Sequence, residues 1–164
     1  MIIRTIDHIA VTVSSLERSL AFYCDVLGFQ RVESHHLEGE GISTMAAKPG
    51  TIMEVVRLQA PDTPGILLDL QQYVAPKGKQ SDSKLGDVAN AHFCFGVHNL
   101  KKTVTDLRAR GVEFYSDPVT FDLDHGQVHV CFLKDPDGFV LEFMEITGRD
   151  TPQPQAAGYG SQHS

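Results

Sequence analysis

Residues 6–16 read IDHIAVTVSSL, and residues 90–100, NAHFCFGVHNL, repeat their pattern. In both stretches, largely apolar residues in strand-like alternation follow a histidine at the matched position, His8 or His92, as is typical of a β-strand. A serine or an asparagine then precedes a leucine, and such residues cap helices by accepting hydrogen bonds from free backbone N–H groups. The sequence therefore predicts the same strand–helix unit twice.

Both predicted helices have a cap, an apolar face and a terminal glycine. Ser14 or Ser15 can cap the first helix and Asn99 the second. Gly28 and Gly111 follow the last periodic residues and suit the left-handed conformation in which many helices end. The apolar faces comprise Leu16, Leu20, Tyr23 and Leu27 in the first helix, and Leu100, Val104 and Leu107 in the second.

The closing strands repeat as well. Residues 65–71, GILLDLQ, match residues 138–144, GFVLEFM. The first half is longer, and its extra residues are placed within 35–51, where glycine and proline predict loops. Each half thus predicts the order β-α-β-β-β, and the chain is predicted to be an α+β protein of two paired βαβββ modules.

The predicted boundaries follow from composition. The first module covers residues 1–75 and the second covers 88–146. A polar linker, 76–87, joins them. The segment 147–164 is rich in Gly, Pro, Gln and Ser, and we expect it to be a disordered tail.

Charge and cysteine content exclude several classes of protein. Lys and Arg number 14 against 21 Asp and Glu, a net charge of −7, which disfavours nucleic acid and anionic membranes as partners. No apolar run approaches the roughly 18 residues of a membrane span, and the start lacks a signal-peptide layout, so we expect a cytoplasmic protein. The three cysteines, Cys24, Cys94 and Cys131, are far apart and form no CxxC pair. Each has apolar neighbours, which predicts buried free thiols.

Four polar side chains stand at repeated positions of apolar strands, namely His8 and Asp69 in the first half and His92 and Glu142 in the second. An unpaired carboxylate is costly to bury, so these positions favour a cation or a metal. If the modules pair pseudo-symmetrically, two imidazoles and two carboxylates suit Fe, Mn, Co, Ni or Zn. The alternative is that they are satisfied core histidines and solvated strand-end carboxylates.

Three motifs resemble the vicinal oxygen chelate superfamily, which includes glyoxalase I, methylmalonyl-CoA epimerase, extradiol dioxygenases and the bleomycin and fosfomycin resistance proteins. They are IDHIAV at 6–11, FYCDVLGF at 22–29 and DPDGFVLE at 135–142. The resemblance covers residues 3–146. It implies that the two modules form a curved mixed sheet around a metal cleft.

The resemblance also implies that His8, Asp69, His92 and Glu142 bind one divalent metal ion per site. Asp69 departs from the family, since glyoxalase I has the longer Glu there and the epimerase has Gln. The fallback is a set of His8, His92 and Glu142 with three open positions. Gln71 is a secondary candidate on the face of Asp69.

The leading functional hypothesis is a metal-dependent lyase or isomerase of the glyoxalase or epimerase type. Such an enzyme chelates a small oxygenated substrate through neighbouring oxygens and transfers a proton through an enolate. The glyoxalase resemblance implies that Glu142 could carry the proton. Glu54, within TIMEVVR at 51–57, is another candidate base or else a solvated strand charge.

The runner-up is an Fe(II) extradiol dioxygenase, and a metal-free binding or resistance protein ranks third. For the dioxygenase, His125 stands at the distance from DPDG where that family has a histidine, but Phe132 replaces its tyrosine. His129 and His125 either line the cleft or are exposed strand residues. Relatives often dimerise, so we expect a homodimer with a small-molecule substrate. Arg57 is either a substrate-carboxylate ligand or a surface arginine.

Overall fold

The computed structural model describes residues 2, 5–61, 66–124 and 126–148. These residues fall into two compact units, one ending at Gly78 and the other beginning at Lys79. Apart from Thr147 and Gly148, the tail that we expect to be disordered lies outside the described residues.

The first unit is a four-stranded mixed sheet in the order β1-β4-β3-β2. β1 and β4 are parallel, and the other neighbours are antiparallel. Its elements are β1 (His8–Thr12), α1 (Leu16–Leu20), a π-helical segment (Ala21–Val26), β2 (Gln30–Leu37), α2 (Glu40–Met45), β3 (Ile52–Gln59) and β4 (Leu67–Ala75).

The second unit repeats this topology in the order β5-β8-β7-β6, again with its first and last strands parallel. Its elements are β5 (Phe93–Gly96), α3 (Leu100–Ala109), β6 (Val119–Leu123), β7 (Gly126–Lys134) and β8 (Val140–Thr147). The prediction of an α+β protein built from two βαβββ modules is confirmed.

The helix boundaries have the predicted causes. The Ser15 side chain accepts a hydrogen bond from the backbone N–H of Arg18, and the Asn99 side chain accepts one from Lys102. Gly28 and Gly111 both have φ of +85°, a conformation that is strained for residues with a Cβ.

Two local predictions need correction. The inserted stretch, 35–51, contains the short helix α2 rather than only loops, because Ile42 is buried in a cluster with Met53 and Val55 and gives the segment an apolar contact to fold against. The three cysteines are free, but only Cys131 is buried, and Cys94 is exposed.

In each unit a helix packs on one sheet face, and this decides which side chains the other face presents. α1 contacts β4, where Leu68 and Leu70 are buried, and α3 contacts β8, where Leu141 and Phe143 are buried. Because strand residues alternate between faces, Asp69 and Glu142 lie on the faces away from these helices. Among the described residues, no helix is long and apolar enough to cross a membrane.

Candidate functional site

The first half-site, His8 and Asp69, lies on neighbouring parallel strands of the first unit. His8 begins β1, and Asp69 is paired in register with Ala10 of the same strand. His8 Nε2 lies 3.6 Å from Asp69 Oδ2, and its Nδ1 lies 2.8 Å from the carboxylate of Asp7. The predicted histidine and carboxylate of this unit are thus brought together.

Arg57 binds the Asp69 carboxylate of this half-site. It is opposite Asp69 in the β3–β4 register, and its Nε and Nη2 donate to Oδ1 at 2.7 Å and to Oδ2 at 2.9 Å. Asp69 is 4% exposed, so the contact is shielded from water. The hydrogen bond to Asp69 is the largest cause that raises the pKa of Arg57 above its ordinary value.

The remaining terminal nitrogen of Arg57 is also engaged, since Nη1 donates to Glu33 Oε1 at 3.2 Å. A guanidinium binds a carboxylate through two parallel N–H groups, and the edge formed by Nε and Nη2 already does this with Asp69. Arg57 is therefore an internal partner of Asp69 rather than an open receptor for a substrate carboxylate.

The second half-site, His92 and Glu142, lies at the corresponding place in the second unit. His92 precedes β5, and its Nε2 lies 3.1 Å from Glu142 Oε2 in β8. The Glu142 side chain is 13% exposed. Phe132 is opposite Glu142 in the β7–β8 register, and its ring packs edge-to-face on His92 with centroids 5.3 Å apart.

The cross-strand neighbours thus distinguish the two carboxylates. Asp69 faces a guanidinium, whereas Glu142 faces an aromatic ring that supplies no charge. Within the second unit, no described lysine or arginine lies within ion-pair distance of Glu142. Its ion-pair partner in this unit is the His92 imidazole.

Cys94 is the other neighbour of Glu142 and is paired with it in the parallel β5–β8 register. Desolvation of the thiol, the negative charge of Glu142 and a hydrogen bond with Glu142 raise the pKa of Cys94 to about 12. The thiol is therefore protonated near neutral pH and donates to the carboxylate. Ala10, opposite Asp69 in the first unit, supplies no such donor.

The other predicted bases lie elsewhere or outside the described residues. Glu54 is three residues before Arg57 in β3, so their side chains point to opposite faces of the sheet. Arg57 is opposite Asp69 in register, whereas Glu54 is opposite Gln72 and His36, so Glu54 lies on the face opposite Asp69. Its carboxylate is 2.5 Å from His36 Nδ1, and this hydrogen bond is the largest cause that raises the pKa of His36. His125 lies outside the described residues.

His129 is also on the face opposite the second half-site, because Phe132 shares the face of Glu142. Its ring nitrogens lie 2.8 Å from Thr120 Oγ1 and 3.0 Å from Thr147 Oγ1. Gln71, two residues after Asp69 in β4, shares the face of Asp69.

Among the described residues, no three or more His, Cys, Asp or Glu side chains lie together in an arrangement that could hold a metal ion. The sequence pattern predicts a buried thiol at Cys94 and leaves two roles open for Arg57. The signal it lacked was strand register, which places both residues beside a candidate carboxylate.

Comparison with known proteins assigns the class. The family model described as the Glyoxalase/Bleomycin resistance protein/Dioxygenase superfamily matches residues 5–143, and the chain belongs to this superfamily. The chain is 31% identical to human mitochondrial methylmalonyl-CoA epimerase, over 85% of this chain and 73% of that protein.

A second relative and a solved structure agree with this class. A probable lactoylglutathione lyase from Synechocystis is 22% identical, over 87% of this chain and 95% of the relative. The crystal structure of a glyoxalase family protein from Bacillus cereus superposes with a TM-score of 0.77 at 17% identity, covering 89% of this chain and 96% of the other. The relatives thus include an epimerase and a probable lyase, and the structural likeness shows the shared fold.

Proposed function

We propose that this protein is a metal-dependent isomerase or lyase that transfers a proton next to a carbonyl group of a small oxygenated substrate. The observation that carries the proposal is Glu142, a largely buried carboxylate beside His92 with no described lysine or arginine partner in its unit. A buried carboxylate in this state favours a bound cation. The similarity to an epimerase and to a probable lyase supports the same class.

The donor chemistry fits a divalent ion of Fe, Mn, Co, Ni or Zn, which accept imidazole and carboxylate ligands. The candidate ligands are His8 and Asp69 in the first half-site and His92 and Glu142 in the second. When bound, the ion would supply Lewis-acid stabilisation of the negative charge that develops on substrate oxygens. A homodimer located in the cytoplasm is part of the same proposal.

Glu142 is the proposed proton carrier. Its Oε2 lies beside the His92 imidazole, and the Cys94 thiol donates to its carboxylate, so two neighbours orient it. Phe132, on the neighbouring strand, packs its ring edge-to-face on His92. Glu54 is the alternative base, but its place on the opposite face from Asp69 gives it no contact with the first half-site.

The remaining alternatives differ in what they consume or bind. An extradiol dioxygenase would consume oxygen with a catechol substrate, and Phe132 offers no hydroxyl proton donor at the position of that family's tyrosine. A metal-free binding protein would bind a small molecule without any dependence on divalent ions. Oxygen uptake and metal content therefore separate the three classes.

The test is elemental analysis of anaerobically purified protein, alongside His8→Ala and Glu142→Ala variants. We expect one divalent ion per site in the wild type and its loss in both variants. Glu145→Gln is the matched control, because Glu145 lies on β8 but accepts hydrogen bonds from the backbone N–H groups of Asn99 and Leu100. A wild-type protein that takes up none of the five ions after reconstitution would contradict the proposal.

A further inference from the structure

We infer that Asp69 is not a metal ligand and that the Arg57 guanidinium occupies the place of a cation at the first half-site. This inference rests on the proposed function, and it assigns the metal-binding carboxylate to Glu142. It makes the two half-sites unequal although they occupy equivalent positions of a repeated fold.

The first argument is the satisfaction of Asp69. Arg57 Nε and Nη2 donate to its two carboxylate oxygens at 2.7 and 2.9 Å, distances typical of charge-assisted hydrogen bonds. For Asp69 to bind an ion, this paired contact would have to be weakened or broken at a residue that is 4% exposed. Breaking a buried ion pair is strongly unfavourable because it leaves a charge without its partner.

The second argument is electrostatic. An ion coordinated by Asp69 would lie close to a guanidinium that contacts both oxygens of the same carboxylate. Like charges a few ångströms apart repel strongly when water is excluded. Arg57 remains charged at every accessible pH, so this repulsion cannot be removed by deprotonation.

The third argument is the contrast with Glu142. The residue opposite Glu142 in the β7–β8 register is Phe132, its neighbour in the β5–β8 register is Cys94, and its carboxylate contacts His92. None of these three residues carries a fixed positive charge. A divalent ion can therefore approach Glu142 without displacing a permanent cation, whereas at Asp69 it cannot.

The experiment measures Co²⁺ binding by titration calorimetry on the full-length protein, before any assay of activity. Replacing Asp69 alone could impair folding, since it leaves the charge of Arg57 without this carboxylate partner. The informative variant is Arg57→Met combined with Asp69→Leu, because exchanging a buried ion pair for apolar residues of similar size is often neutral or stabilising. Glu142→Gln is the comparison, and thermal unfolding monitored by circular dichroism confirms that each variant is folded.

We expect the double variant to bind Co²⁺ within about threefold of the wild-type affinity, and Glu142→Gln to bind at least about tenfold more weakly, since replacing even a residue that only supports a metal ligand typically costs about 10–100-fold. A loss of affinity in the folded double variant as large as that in Glu142→Gln would overturn the inference and leave the proposed function standing. Unchanged binding by Glu142→Gln would also overturn it. Failure of the wild-type protein to bind Co²⁺ would overturn the proposed function together with the inference.

Discussion

The residue opposite on the neighbouring strand determines the charge environment of each carboxylate in a repeated position. Asp69 and Glu142 both stand in otherwise apolar closing strands, yet one is neutralised by Arg57 and the other faces Phe132. The same backbone position can therefore hold an internal ion pair in one unit and a candidate metal ligand in the other. The hydrogen-bond partners of Glu142 become the natural targets for substitution.

Cys94 should act as a positioning residue for Glu142. Cys94→Ala removes the thiol that donates to the carboxylate, whereas Cys94→Ser keeps a donor. Since hydrogen bonds to charged groups contribute about 1.5–3 kcal/mol, we expect the alanine variant to lose about tenfold or more in kcat/KM. The serine variant should restore most of it.

Co²⁺ affinity measured on the same variants shows whether a loss of activity comes from the orientation of Glu142 or from misfolding of the variant. Cys24→Ala is the matched control, because Cys24 is a free cysteine in the π-helical segment. Equal activity of Cys94→Ala and wild type would show that the thiol does not orient Glu142.

Ser19 in α1 is a buried hydroxyl to which no described residue offers a hydrogen-bond partner. Burying an unsatisfied polar group costs about 1–3 kcal/mol, so Ser19→Ala should raise the free energy of unfolding by about 1 kcal/mol. Urea denaturation followed by circular dichroism measures this change. A variant less stable than the wild type would show that the hydroxyl is satisfied.

His36 should make stability depend on pH. Hydrogen bonds to Glu54 and Glu38 raise the pKa of His36 above 6.5 in the folded protein. The folded state therefore binds the proton more tightly than the unfolded state, and the resulting stabilisation is fully present below pH 6.5 and is lost as pH rises through the folded pKa.

Glu54→Gln should lower the His36 pKa and flatten this pH dependence. An NMR titration of the imidazole in both proteins provides the measurement, and His98 serves as an internal reference imidazole outside the first unit. An identical His36 titration in the wild type and the variant would refute the ion pair.

At the scale of the element, α3 depends on a cap in an unusual conformation. Asn99 has φ of +52°, and its side chain accepts a hydrogen bond from the backbone N–H of Lys102. Asn99→Ala loses the cap and leaves in the left-handed region a residue without the polar side chain that lets asparagine adopt it, so we expect a destabilisation of about 1–2 kcal/mol.

Asn99→Gly should cost only a few tenths of a kcal/mol, since glycine is a fair cap and tolerates positive φ. The two urea midpoints, compared with the wild type, test this order. An alanine variant as stable as the glycine variant would show that the left-handed conformation is not retained.

Local sequence signals predicted these elements because caps, apolar periodicity and terminal glycines act within a few residues. Ser15, Asn99, Gly28 and Gly111 all stand where those signals place them. α2 escaped prediction because it is short and is held by the contact of Ile42 with Met53 and Val55, which are distant in sequence.

The candidate site was only partly predictable for the same reason. The histidine–carboxylate pair of each unit followed from the repeat, but the partners Arg57 and Cys94 depend on register between strands. Register is set by turn geometry and by packing on a sheet face, and alternation of residue type alone does not fix it. The proposed metal ligands and the role of Glu54 stay predictions.

For the whole molecule, the internal repeat carried the prediction furthest. Two βαβββ units with the strand orders β1-β4-β3-β2 and β5-β8-β7-β6 match the expectation drawn from the repeated sequence pattern. The superfamily follows from the same motifs and is shown by the match over residues 5–143. A conserved architecture does not determine the reaction, which depends on the particular side chains of the site.

The most direct test of the proposed function is proton exchange in D₂O followed by NMR. The probes are methylmalonyl-CoA and lactoylglutathione, which the names of two relatives suggest. We expect metal-loaded protein to replace the hydrogen next to a carbonyl of one probe with deuterium, without oxygen uptake, and we expect chelation or Glu142→Gln to abolish the exchange. Exchange that is equally fast after chelation and in Glu142→Gln would contradict a metal-dependent proton transfer through Glu142.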